Sequence, residues 1–209
     1  MILEKIDYSD KYNLVILTIE GEDFNIGYDL YNDLNLQSGE ELSFDIYKDI
    51  LAEDQFNRAK NLALSKISYA QKTSFEIEKI LKDNDFDGST IEKTIDFLND
   101  YGLIDDNLYV KSYVSDKHNI SRWSKNKIRY SLKSKKIEDS LIETYLSEIS
   151  DQEEYEKAYY FANKKAHDDF SIANKQKVYR YLASKGFEFD IINKIMDRMF
   201  KWPMDTSIF

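Results

Sequence analysis

Six apolar residues recur three times along this chain at nearly constant spacing, and the recurrence restricts the fold before any local propensity is weighed. Ile77, Leu81, Phe86, Ile91, Ile95 and Leu98 return as Ile128, Leu132, Ile137, Ile142, Leu146 and Ile149, then as Val178, Leu182, Phe187, Ile192, Met196 and Met199. The offsets are 51 and then 50 residues throughout, and all eighteen positions are apolar. Steps of four, or of four then three, keep residues on one helix face, and the five-residue step between Leu81 and Phe86 crosses a turn. The repeated object is a helix, a turn and a second helix.

A further helix is expected before each pair. These run from about Gln55 to Ser68 (Ala59, Leu62, Ala63, Ile67), Leu108 to His118 (Val110, Tyr113, Val114) and Glu154 to Ala166 (Ala158, Phe161, Ala162). Ser89, Ser140 and Asp190 recur at the turns, and each is expected to accept the first free N–H groups of the helix that follows. Ser89 with Glu92, Ser140 with Glu143, and Thr73 with Glu76 read as capping boxes. Residues 2 to 28 follow another period: Asn13 to Ile19 is β-branched, Glu20 to Asp23 is turn chemistry, and Phe24 to Ile26 alternates. Tyr28 to Leu36 suits a short helix closed at Gln37-Ser38-Gly39, and Ser43 suits the cap of a helix beginning near Phe44.

The expected fold is mainly α: a tandem array of three three-helix repeats behind a small antiparallel β element, forming a curved and elongated scaffold. The expected divisions are 1–50 for the β-containing extension, 51–104 and 105–150 for the first two repeats, and 151–209 for the third repeat with the tail. Six Gly and one Pro, Pro203, oppose a many-stranded sandwich.

The absence of cysteine excludes a disulfide scaffold, a thiol nucleophile and Cys-ligated metal. With no basic and apolar leader at the start and no long apolar run, a reducing, cytoplasmic setting without a membrane partner is expected. No phosphate-cradling, zincin or nucleophile-elbow motif is present. Asp105-Asp106 and Asp168-Asp169 read as solvated helix starts, and His118 as a surface or interhelix residue. Tyr155, Tyr159, Tyr160, Tyr179 and Tyr181 read as the edge of a core rather than a stacking platform. No enzyme, metal or cofactor is expected.

Net charge is −10, yet residues 111 to 136 carry nine basic residues against Asp116 alone. On a helix from Ser124 to Ser134, Ile128 and Leu132 face inward, so Lys125, Arg129, Lys133 and Lys136 form an outward stripe. Aligned like charges repel by a few tenths of a kcal/mol per pair, which an anionic partner, phosphate or acidic protein, would relieve. The plainer alternative is a solvated helix face. Trp123 either staples the helix start to the core or stacks on a partner.

Four segments carry a family resemblance: Ala63-Leu64-Ser65-Lys66-Ile67, Ser74-Phe75-Glu76-Ile77, Leu103-Ile104-Asp105-Asp106-Asn107-Leu108-Tyr109-Val110, and Leu182-Ala183-Ser184-Lys185-Gly186-Phe187. In this order and at this period the chain resembles the RecX-type regulatory proteins over about residues 58 to 200. Ser124 and Lys136 stand where that pattern has glycines, and Thr73 where it has arginine. The resemblance implies a non-enzymatic, monomeric modulator that binds the RecA filament on single-stranded DNA, touching the DNA directly or through RecA. It would restrain strand exchange, ATP hydrolysis and co-protease activity. Lys125, Arg129, Lys133 and Lys136 would carry much of that contact, with Lys111, Lys117, Arg122, Trp123, Lys127 and Lys135 contributing. Without the resemblance, the same residues describe a helical-repeat adaptor for an acidic protein.

Overall fold

The computed structural model describes residues 1–9 and 13–200; residues 10–12 and 201–209, including Pro203 and the end of the third expected repeat, lie outside the described residues. Contacts divide the chain into two units, Met1–Asp105 and Asp106 onward. The expected mainly α fold with an N-terminal antiparallel sheet is present.

In the first unit, strands β1 (Leu3–Ser9), β2 (Leu14–Ile19) and β3 (Glu22–Gly27) pair antiparallel in sequence order. Alternation puts Val15, Leu17 and Ile19 into the core beside Leu3, Phe24 and Ile26. Helix α1 (Tyr28–Leu34) follows, then α2 (Phe44–Ile67), which starts where Ser43 Oγ accepts the Ile46 N–H. The early part of α2 buries Ile50 against the sheet, and its later part buries Ala59 and Ala63 against α3 (Ser74–Lys82) and α4 (Gly88–Asp100). Asp54 of α2 satisfies the free edge of β3: its Oδ1 accepts the Asn25 N–H at 2.8 Å while Oδ2 holds Arg58 at 2.7 Å.

The second unit contains α5 (Asp106–Ser115), one turn of π-helix (Asp116–Ile120), α6 (Lys125–Ser134) and α7 (Asp139–Leu146). A second group follows: α8 (Asp151–Ala166), α9 (Ile172–Ser184) and α10 (Phe189–Met199). Each group has its own buried core.

The five-residue step in the repeat now has a structural cause. At the ends of α3, α6 and α9, the N–H groups of Phe86, Ile137 and Phe187 all donate to the carbonyls of Leu81, Leu132 and Leu182 at 3.3 Å. One residue earlier, Asp85, Lys136 and Gly186 all take positive φ: 63°, 58° and 85°. This is a Schellman ending, whose signature is an αL residue followed by an apolar residue packed on the last turn. Two of the three αL residues carry a side chain there. Lys136→Gly should therefore stabilise the chain by about 1 kcal/mol, read from the urea midpoint at unchanged slope.

Helix starts differ from the expectation. Helices α4, α7 and α10 begin after Asp87, Glu138 and Glu188, which recur at the same offsets of 51 and 50. Ser89, Ser140 and Asp190 therefore lie inside the first turns and are not the caps. Asp87 takes that role in α4, its Oδ1 accepting the Thr90 N–H at 2.9 Å, and those bonds hold its carboxyl below the usual range. Glu143 is drawn away from any box by Arg129. The Thr73/Glu76 box is present, and Ser150 with Glu153 forms another at α8. Asp106 begins α5 as expected, whereas Asp168 and Asp169 follow the end of α8, where Asp169 accepts the Ser171 N–H.

Fourteen of the eighteen repeat positions are buried, and three of the four exceptions, Phe86, Ile91 and Ile95, belong to the first repeat.

Candidate functional site

The basic island occupies α5, the π-turn and α6, and its charges fall into two populations. Three members of the expected stripe are engaged by acids of the same unit. Lys125 meets Asp151 at 3.4 Å, and Lys133 meets Asp139 at 2.8 Å. Arg129 grips Glu143 through two bonds, Nε to Oε1 at 2.5 Å and the second guanidinium nitrogen to Oε2 at 3.0 Å. That grip raises the arginine's pKa and lowers the glutamate's. The row of like charges is thus relieved internally, and the repulsion argument for an outside anion does not hold at these three residues. Lys136 has left the helix and stands exposed in the αL turn.

The second population lies over aromatic rings. Lys127 and Lys117 stand 4.1 and 5.0 Å from the Trp123 ring centre, and Lys117 is also 5.2 Å from Tyr113. Lys135 covers Tyr109 at 5.5 Å. Tyr109 and Tyr113 stack with centroids 5.7 Å apart, and the Tyr113 hydroxyl meets Ser131 Oγ at 2.6 Å, joining α5 to α6. Arg122, at φ 53°, lies 4.3 Å over Tyr160 of α8, and Lys111 is exposed on α5. Lysines held over ring faces set positive charge beside polarisable surface, a combination that suits phosphate with bases or a mixed protein surface. Trp123 also packs on the core of its repeat, so the staple and the platform share one side chain. Tyr109 and Tyr113 were missed from sequence; their signal was the four-residue spacing that continues to Lys117. Tyr155, Tyr159, Tyr179 and Tyr181 edge the third repeat's core as expected, while Tyr160 is exposed.

A buried polar cluster fixes α6 from α8. Glu154, 2% exposed, accepts the Lys125 backbone N–H through Oε1 at 2.9 Å, a carboxylate placed at the positive end of α6. Lys157 lies 3.8 Å from the other oxygen, donates to the Trp123 carbonyl at 3.1 Å and meets His118 Nδ1. Burial pushes Glu154 up, Lys157 down and His118 down; Lys157 beside the imidazole adds to the last. His118 is therefore an interhelix residue, turned inward by the π-turn. Ser124 completes the junction: its Oγ caps α6 by accepting the Lys127 N–H and donates to the Lys185 carbonyl at 2.8 Å.

Among the described residues no group of three or more His, Asp or Glu could hold a metal ion, and no helix is long and apolar enough to cross a membrane.

Three family models match in order: the first, second and third three-helix domains of RecX, over residues 59–98, 105–146 and 151–196. Regulatory protein RecX of Clostridioides difficile is 32% identical, with 79% of each chain covered. A crystal structure of regulatory protein RecX superposes with a TM-score of 0.76 at 26% identity, covering 94% of this chain and 98% of that one. RecX from Lactobacillus salivarius gives a TM-score of 0.63 at 32% identity over 70% of this chain and 97% of its own. With every helical repeat matched in sequence and the fold matched in space, this chain belongs to the RecX family.

Proposed function

We propose that this protein binds the RecA filament on single-stranded DNA and restrains its ATPase, strand-exchange and co-protease activities, acting by binding and not by catalysis. Membership of the RecX regulatory family supports the partner. The observation that carries the contact surface is the cation–aromatic strip on α5 and α6, where Lys117 and Lys127 flank Trp123 with no ion pair among the described residues. Lys111, Arg122, Lys135 and Lys136 extend the strip toward DNA phosphate or an acidic RecA face, while Lys125, Arg129 and Lys133 hold α6 to its neighbours. The protein acts in the cytoplasm as a monomer.

The test is the RecA ATPase rate on single-stranded DNA, titrated with this protein at fixed salt. The wild-type chain is expected to inhibit below stoichiometry. Lys117→Glu with Lys127→Glu should raise the half-inhibiting concentration at least about tenfold while leaving thermal stability near wild type. Equal inhibition by that variant removes the strip from the contact. No inhibition and no filament binding by wild type would leave an adaptor for another acidic protein.

A further inference from the structure

The groove between α3 and α4 is a thrice-repeated feature that the chain closes with its own side chains in the second and third repeats and leaves open in the first. Positions 78, 129 and 179 are equivalent, as are 88, 139 and 189, and 92, 143 and 193. In the second repeat Arg129 reaches across to Glu143, Lys133 pairs with Asp139, and the floor of Ile137, Ile142 and Leu146 is buried. In the third, Tyr179 stacks on Phe189 with centroids 6.5 Å apart and planes within 17°, over buried Phe187, Ile192 and Met196.

The first repeat has Glu78 and Gly88 at the closing positions. Its floor of Phe86, Ile91 and Ile95 stays partly exposed beneath a groove of about 490 Å³. Packing does not demand glycine at position 88: an added Cβ would meet nothing within 4 Å, and its φ is not positive. The rim carries Glu78, Glu92 and Asp96 against Lys82, and none of the three carboxylates forms an ion pair among the described residues. Such a rim repels phosphate, which excludes a nucleic acid as the occupant.

We infer that this groove docks a basic amphipathic segment of a protein partner. Its arginine gives Glu92 the guanidinium that Arg129 gives Glu143, and its apolar side chains cover Phe86, Ile91 and Ile95. The second repeat is the internal template for the charge pairing, and the third for covering the apolar floor. The inference stands apart from the filament reading, because it concerns the other unit and the opposite charge.

The test uses the full-length chain and a fluorescein-labelled helical peptide of about 16 residues, with leucines on one face and flanking arginines, read by anisotropy. A matched peptide has glutamates for the arginines. Wild type is expected to bind the arginine peptide at least about tenfold more tightly than the glutamate peptide. Glu78→Arg installs the second repeat's closure and Gly88→Phe the third's. Both are surface changes expected to keep the circular dichroism spectrum and to weaken arginine-peptide binding at least about tenfold. Equal binding of the two peptides, no binding of either, or unchanged binding by both folded variants overturns the inference. Self-association of wild type by sedimentation that Glu78→Arg abolishes would make the occupant a second copy and overturn it too.

Discussion

Lys157→Met should destabilise the protein by about 3–5 kcal/mol in urea denaturation of the full chain near neutral pH, although the new side chain follows the same unbranched path, one atom shorter, and buries readily. The loss arises from what is left behind. Glu154 lies buried, its Oε2 has no hydrogen-bond partner among the described residues, and Lys157 at 3.8 Å is the buried cation facing it. Removing that cation also leaves the Trp123 carbonyl without its donor. Adding Glu154→Gln to the variant should recover most of the stability, because the amide oxygen still accepts the Lys125 N–H while the stranded charge is gone. A single variant that loses less than about 1 kcal/mol would show that the carboxyl is already neutral in the native protein.

Gly186→Ala is expected to lose about 2–4 kcal/mol, by two mechanisms at one atom. Gly186 sits at φ 85°, where a side chain is strained, and its added Cβ would stand 2.8 Å from Ser124 Oγ. That hydroxyl is the cap of α6 and the donor to the Lys185 carbonyl, so moving it opens both bonds. The contrast with Lys136→Gly locates the cause: the same turn in the second repeat already carries a side chain, and gaining a glycine there stabilises. In a Ser124→Gly background, where no hydroxyl is left to displace, Gly186→Ala should cost only the αL strain, about 1–2 kcal/mol. An equal loss in both backgrounds would make backbone strain the whole effect.

The repeat architecture was legible because eighteen apolar positions obey one geometry, and the Schellman turn makes that geometry compulsory: Leu81, Leu132 and Leu182 must each meet an apolar residue five positions on. The caps were misread because a serine two residues inside the helix and an acid just before it look alike in sequence. Only the backbone shows that Asp87, Glu138 and Glu188 occupy the boundary. The basic stripe was legible as a row of charges, but its partners Glu143, Asp139 and Asp151 lie on other helices, and one-dimensional spacing cannot pair them. The same limit hid the cluster of His118, Glu154 and Lys157, in which the histidine stands 39 residues before the lysine and on a different element.

Helix α2 runs for 24 residues with no glycine or proline inside it, a rod of about 36 Å. One end carries the sheet through Asp54 and Ile50, the other carries α3 and α4 through Ala59 and Ala63. There is no hinge between them. A load applied to the sheet is therefore delivered to α3 and α4 as a tilt of the whole first unit, in the manner of a lever keyed to its shaft. Cutting the chain at residue 50 would not release an appendage; it would sever the shaft itself.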